Sequence, residues 1–424
     1  MDSGLTEIEV RSIRNPGPRI SSWLFVALLC FGATPALAQD RLPPVLAEID
    51  RHVREEFWDP KFKGADWDGA VKKAAAELSR AKDAPERDAA YDRLLAVLDD
   101  SHTFRLPPGR LPERGWGTAG LRIGKDADGY AVKGVMPGYA AETAGMKIGD
   151  RVLSVAGRNY GKERVNFRDL YLVFEGRVGR DVEVVWQPAG QPAKTSRLGL
   201  KLEEPADGLV WKSARVIRRD GHAYGYARLW GMRTESVLAI VDLLLDRTEA
   251  ARARPELSGW DSIEGFLLDV RGSSGGYDPN ILATFLKGGW SAGDHFEIGR
   301  DGRRRLVPPV YRKLPVGLLV NSGTASQGEL LAVRFRAHGI GPVIGEETAG
   351  MGSGGAFAVA LSDGSSLWLS RLAMEDKEGR SYEGRGFVPD VVVVDRPGTE
   401  GREDAVVEAG LAALAVQKAE GGKN

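Results

Sequence analysis

At residues 321–339 the chain reads NSGTASQGELLAVRFRAHG. An apolar run before it, Val316-Gly317-Leu318-Leu319-Val320, reads as a strand, and a helical pattern begins a few positions later. Ser326 stands at the break, followed by Gln327, Gly328 and Glu329. A strand-to-helix switch sets this hydroxyl beside N–H groups that lack an intrahelical acceptor and carry the positive end of the helix dipole. Two roles fit. Ser326, or its neighbour Thr324, is a helix cap contributing about 1 kcal/mol, or Ser326 is a nucleophile whose oxyanion forms opposite the Gln327 N–H. Glu329 lies one helical step away and reads as structural.

Two further stretches carry chemistry. In FLLDVRGSSGG, residues 266–276, a buried strand runs into Asp269, Arg271 and the pair Gly275-Gly276. Glycines at the end of a parallel strand let the backbone approach a ligand, and one N–H there can be a second oxyanion donor. The same residues also fit a tight turn held by an Asp–Arg pair. In LLAVLDDSHTF, residues 94–104, a helix ends and Ser101-His102 follow in a polar turn. Histidine is the side chain best suited to take a hydroxyl proton near neutral pH. Of the five histidines, His52 falls on a helix face and His338 precedes a helix-ending glycine. His222 and His295 flank turn residues. His102 is the candidate base, with a simple turn position as its other reading.

These residues sit in a chain of 424 residues, long enough for two or three domains. A formal net charge of -1 gives no basic excess for nucleic acid. Arg11, Arg14 and Arg19 precede an apolar stretch from Ser21 to Ala33 and the cleavage pattern Ala36-Leu37-Ala38. Residues 1–38 therefore read as a secretory signal peptide, with a signal anchor as the rival and lipidation at Cys30 weaker still. Cys30 is the single cysteine. The mature chain is expected to have no disulfide and no thiolate nucleophile, which fits export to a bacterial periplasm and removes cysteine-based zinc sites.

Three segments follow. Residues 42–110 have helical periodicity, with Leu46, Ile49, Val53 and Phe57 on one face and further helices over 67–78 and 89–98. Residues 115–203 alternate short strands with glycine turns and a short helix over 167–175, as in a compact barrel-like module. Residues 206–400 alternate strand and helix, with a helix over 235–253, another over 278–289 and a hairpin turning at Asp363-Gly364. This order predicts a multidomain α/β chain whose βαβ core holds a mostly parallel sheet. Residues 401–424 read as a C-terminal helix and tail.

Taken together, the Asp-x-Arg-x-x-x-Gly-Gly turn, Val-Asn-x-x-Thr-Ala-Ser-x-x-Glu opening a helix, and Gly-Glu-x-Thr-x-Gly resemble the tail-specific, or C-terminal processing, serine proteases. The segment Gly-Leu-x-Ile…Ala-x-x-Ala-Gly-Met-x-x-Gly-Asp resembles the PDZ domain that this family carries. The resemblance covers roughly residues 45–395. It puts the nucleophile at Ser326. One branch of the family uses a lysine 25 positions later, where this chain has Met351, which cannot accept a proton. The other branch, similar to the tricorn protease core, uses a histidine from a Ser-His turn, matched by Ser101-His102. It also uses a glutamate before a Gly-x-x-Pro-Asp turn, matched by Glu383. The resemblance thus implies His102 as base, Ser101 linking it to Glu383, and an oxyanion hole from Gly275 or Gly276 with the Gln327 N–H. Glu346, Glu347 and Glu378 are rivals to Glu383. Ser273 departs from the asparagine usual in the glycine turn.

The PDZ likeness implies that Gly120, Leu121, Arg122 and Ile123 form a carboxylate-binding loop and edge strand for a peptide C-terminus, with Leu170 and Val173 lining its pocket. The expected protein is an exported serine endopeptidase acting on polypeptides, without metal or cofactor, and in contact with a membrane only through its signal segment. The alternatives are an inactive, protease-like peptide-binding scaffold or sensor and, further off, a hydrolase of small esters or a binder of apolar ligands.

Overall fold

The computed structural model describes residues 42–110, 116–245, 247–276, 314–355, 357–396 and 403–421, together with 282, 283, 286, 296–298 and 304–306. The leader read over 1–38 lies outside these residues. So does most of the helix read over 278–289, of which Leu282, Ala283 and Leu286 are helical and buried.

The described chain opens with helices α1 (Pro44–Glu56), α2 (Trp67–Leu78) and α3 (Ala84–Ala96). Asp66 and Asp83 accept from the Gly69 and Glu86 N–H groups, supplying acceptors that the first turns of α2 and α3 lack. A short strand, β1 (Phe104–Leu106), follows. The next segment forms an antiparallel sheet in sequence order: β2 (Leu121–Asp126), β3 (Gly129–Val135), β4 (Arg151–Val155), β5 (Asp181–Gln187) and β6 (Lys194–Gly199). Along β5, buried Val182, Val184 and Trp186 alternate with exposed Asp181, Glu183 and Gln187, the period of a half-buried strand. The helix read over 167–175 is two pieces, α4 (Phe167–Leu170) and a 3-10 turn at Leu172–Phe174. Tyr171 breaks it at φ -123°, ψ -58°, and its buried hydroxyl meets the Gly323 carbonyl of the core. Val173 consequently sits on the 3-10 turn, not on the helix with Leu170.

The core sheet contains β7 (Arg215–Arg219), β8 (His222–Arg228), β9 (Gly265–Asp269), β10 (Val316–Val320) and β11 (Val343–Gly345). After the hairpin β12 (Phe357–Ala360) and β13 (Ser366–Leu369), β14 (Val391–Val392) completes it. Only the β7–β8 pair is antiparallel; the other four pairs are parallel. Its faces are covered by helices. Phe266 and Leu268 of β9 pack with α5 (Thr234–Leu245) and α7 (Gln327–His338), and α5 with α6 (Arg247–Ala253) falls on the helix read over 235–253. Leu267, pointing the other way, packs with Val407, Leu411 and Leu414 of α8 (Ala405–Gly421). The C-terminal helix is therefore a layer of the core. Asp404 at its start shares Arg271 with Asp269 and Asp395, all within 2.9 Å, so the Asp-x-Arg turn is a structural clasp.

The hairpin β12–β13 turns at Asp363-Gly364 as read, but its partner lies elsewhere than in the core. β13 pairs with β1, Phe104 opposite Trp368, and Arg105 Nε donates to Ser365 Oγ at 2.9 Å across 260 positions. Leu361, Leu367 and Leu369 fill the apolar space between α1, α2 and α3. The apolar face of this hairpin needs cover, and the three N-terminal helices supply it. Residues from 42 onward form one compact unit.

Candidate active site

Ser326 joins β10 to α7 with φ 53° and ψ -127°, a conformation costing a non-glycine residue about 1–3 kcal/mol. Its N–H donates to the Glu329 carboxylate at 3.1 Å. Glu329 is fully buried and also accepts from the Gly350 and Met351 N–H groups at 3.0 and 2.8 Å and from the Thr348 hydroxyl. The Ser326 turn is thus tied to the 348–351 loop through one carboxylate.

The Ser326 Oγ lies 3.1 Å from His102 Nε2, across 224 positions of sequence. His102 is held from three sides. Asp100 accepts from its N–H at 3.1 Å, and also from Thr103 Oγ1 and Trp58 Nε1. Phe167 of α4 stacks on the imidazole, 4.9 Å between ring centres and 23° between planes. Ser101 Oγ lies 2.9 Å from Nδ1 and 2.8 Å from Glu383 Oε2. Glu383 further accepts from the Ser101 and Ser353 N–H groups, both at 2.8 Å, and pairs with Arg164.

These contacts fix the direction of the hydrogens. An ionised carboxylate only accepts, so the Ser101 hydroxyl proton points to Glu383. Its lone pair then faces Nδ1, which must carry the imidazole hydrogen. Nε2 is left unprotonated and accepts from Ser326. The charges agree with this order. Burial would raise Glu383, but Arg164 and the donors from Ser353 and Ser101 outweigh it and hold the carboxyl below its ordinary value. Burial also lowers the His102 imidazole, against the pull of Asp100 and Glu383.

On the opposite side of Ser326, Gly275 adopts φ 77°, and a Cβ there would lie 2.7 Å from both the Gln327 nitrogen and Ser326 Cβ. Gly276 turns instead against Met232, 2.5 Å from its carbonyl by the same measure. Gln327 is the first residue of α7, where an N–H has no intrahelical acceptor. A cleft of about 620 Å³ opens here, with Trp116, Trp230 and Trp368 among its walls and no lysine among the described residues that line it. Met351 is buried in the apolar cluster shared with Leu121 and Leu170.

The rival residues lie apart from this chain of contacts. Glu346 pairs with Lys133 at 2.7 Å, and Glu378 with Arg380 at 3.1 Å. Glu347 faces a separate cavity with Arg385 and Lys125. His52 pairs with Glu56, and His222 with Glu264. His338 is exposed at the end of α7, and His295 lies outside the described residues. Gly120, Leu121, Arg122 and Ile123 are buried rather than exposed. Gly124 shows why: a Cβ there would stand 2.5 Å from the Ser322 carbonyl carbon, so β2 runs against core backbone instead of offering an open edge. Leu170 is buried and Val173 half-buried against the apolar cluster that also takes in Phe104, Ala325 and Met351. Ser273 is buried, and its hydroxyl has no hydrogen-bond partner among the described residues. Arg164, Phe167, Ser353 and Asp100 were not singled out from sequence. Only Asp100 had a local signal, as an acceptor beside a helix end.

Residues 223–393 match the family model described as Peptidase family S41. This segment of the chain is a Peptidase family S41 domain. With that domain and these relatives it is a serine-type peptidase, and the relatives include both C-terminal processing peptidases and tricorn homologues. It is 29% identical over 388 residues to a chloroplastic C-terminal processing peptidase of Tetradesmus obliquus, covering 85% of this chain and 79% of the relative. It is 26% identical over 400 residues to Tricorn protease homolog 1 of Streptomyces coelicolor, covering 87% of this chain but 35% of that one. Among solved structures it resembles the photosystem II D1 C-terminal processing protease, with a TM-score of 0.53 and 25% identity over 82% of this chain and 92% of the other. The S41 peptidase described here thus shares the sheet-rich α/β fold of that enzyme.

Proposed function

We propose that this S41 peptidase is an exported endopeptidase that cleaves polypeptides through an acyl-enzyme on Ser326, with His102 as general base. The observation that carries the reading is the unbroken path Ser326 Oγ, His102 Nε2 and Nδ1, Ser101 Oγ, Glu383, in which each step is 3.1 Å or less. A peptide in the 620 Å³ cleft presents its carbonyl carbon to Ser326 Oγ. As the C–O bond forms, the hydroxyl proton moves to Nε2, and the carbonyl oxygen gains charge near the N–H groups of Gln327 and Gly275. The imidazolium then gives its proton to the leaving amine, and water reverses the sequence to free the acid. Ser101 and Glu383 hold the ring in the tautomer that can accept. General acid–base help of this kind contributes about 10²–10⁴-fold, and one oxyanion donor about 10²–10³-fold.

The segment 115–203 is proposed to be the PDZ-like module that gates the cleft, to which it contributes Trp116, Arg122, Phe167 and Glu175. Capture of a free C-terminus by Gly120–Ile123 requires the module to move off Ser322-Gly323, since that edge is closed here. Export is read from residues 1–38; no helix of the described residues is long and apolar enough to cross a membrane. A fluorophosphonate probe tests the assignment. Ser326 should be labelled in the wild type, with labelling and casein cleavage lost in Ser326→Ala and His102→Ala while both variants keep the wild-type melting transition. Undiminished labelling of His102→Ala would refute the base.

A further inference from the structure

The segment Arg164–Tyr171 belongs to the sheet module between the helical segment and the core, yet it grips the relay behind Ser326 at several points. Arg164 pairs with Glu383, donates to the Gly350 carbonyl at 3.2 Å and lies 3.3 Å from Asp99. The Phe167 N–H donates to the Ser101 carbonyl at 2.8 Å, and its ring stacks on His102. Arg168 pairs with Asp92 at 2.6 Å and donates to the Arg105 carbonyl at 3.2 Å. We propose that Arg164 is a positioning residue of the proton relay, through which the module keeps Glu383 ionised and so keeps His102 in the tautomer that accepts from Ser326. This rests on the assignment of His102 as base.

The argument follows one proton. The Glu383 side chain is 1% exposed, and a carboxylate so placed needs a counter-charge to stay ionised. Among the described residues, Arg164 is the cation that touches it. The other charged groups in its field are His102 on one side, Asp99 and Asp100 beside Arg164, and Glu329, which repels it. Without the guanidinium, Glu383 takes up a proton more readily and can donate to Ser101 Oγ. The Ser101 hydroxyl then turns its own hydrogen to His102 Nδ1, the ring carries its hydrogen on Nε2, and Ser326 loses its acceptor. The chain of hydrogen bonds survives, but it runs in the wrong direction. Raising the pH removes the extra proton from Glu383 and restores the working direction.

The test uses the full chain, a fluorophosphonate probe and fluorescein-labelled casein, each across pH 5–9. Arg164→Met should lower the labelling rate and kcat about 10–10³-fold at neutral pH, with KM for casein within about twofold. The acid limb should move to higher pH, so that the deficit narrows as pH rises. Arg164→Lys, which keeps the charge, should recover a large part of the rate and return the limb toward its original position. A wild-type rate with an unmoved limb in Arg164→Met overturns the proposal. So does a loss equal at every pH, which marks a packing role alone. Should Arg164→Met fail to fold, Arg164→Gln against Arg164→Lys makes the same comparison. His102→Ala separates the two levels: full labelling there refutes the base itself, whereas a dead His102→Ala with an unaltered Arg164 profile refutes only the positioning role.

Discussion

Glu329 offers the most direct check on how the Ser326 turn is held. Its Oε1 accepts from the Gly350 N–H and the Thr348 hydroxyl, and its Oε2 from the Ser326 and Met351 N–H groups. Glu329→Gln keeps the shape but exchanges one acceptor oxygen for a donor. The better orientation aims the amide oxygen at the Ser326 and Met351 N–H pair. The amide nitrogen then faces the Thr348 hydroxyl, which can turn to accept, and the Gly350 N–H, which cannot. One buried donor is orphaned, costing about 1–3 kcal/mol; the reverse orientation orphans two. Glu329→Ala abandons all three N–H groups and should cost at least about 3 kcal/mol. Denaturant unfolding at pH 7 measures both, and fluorophosphonate labelling should slow as the Ser326 turn relaxes. A Glu329→Gln protein within about 0.5 kcal/mol of wild type, labelled at the normal rate, would refute the reasoning. The pH dependence adds a second check. Burial, opposed by those donors, pushes Glu329 up to about 7 from 4.5. The folded protein therefore binds more protons than the unfolded chain in that window. The contribution is full below pH 4.5 and is lost as pH rises through about 7, a change of about 3 kcal/mol that Glu329→Gln should lack.

Three other outcomes are expected. Because burial lowers the His102 imidazole, the base stays neutral into mildly acidic solution, so the midpoint of the acid limb of kcat/KM should fall below 6.5; a midpoint above 7 contradicts this. Gly275→Ala would drive a methyl group within 2.7 Å of the Gln327 nitrogen and Ser326 Cβ at a positive φ, and casein turnover should drop about 10²–10³-fold while Gly276→Ala disturbs the Met232 contact instead. Met351→Lys should not create a second base: it buries an ammonium in the apolar cluster with Leu121 and Leu170, lowers the melting temperature, and in combination with His102→Ala leaves labelling absent.

The elements were legible where a local period sufficed. Helical spacing marks α2 at the observed residues, and the apolar run of β10 breaking at Thr324-Ala325-Ser326 marks the switch into α7. What local patterns do not encode is partnership at long range. The hairpin β12–β13 was legible as a hairpin, but its pairing with β1 depends on apolar cover from α1–α3, which no window of sequence contains. Likewise the pattern of β2 suits an edge strand without saying that core backbone covers it at Gly124. Ser326 and His102 stood out by residue type and setting, whereas Ser101 and Glu383 were reached through family likeness. Arg164 gave no sign at all, because an arginine in a polar loop reads as solvated until its partner, 219 positions away, is known.

The pairing of β1 with β13 has a consequence for how the enzyme is made. Synthesis releases the histidine early, the serine late, and the glutamate later still, and the strand that seats the Ser-His turn emerges between the last two. A chain cut short before residue 366 owns Ser326 and His102 yet lacks the strand that pairs with β1 beside the Ser-His turn. Under the proposed assignment, peptidase activity would therefore have to wait until the late-made hairpin has docked on the N-terminal helices.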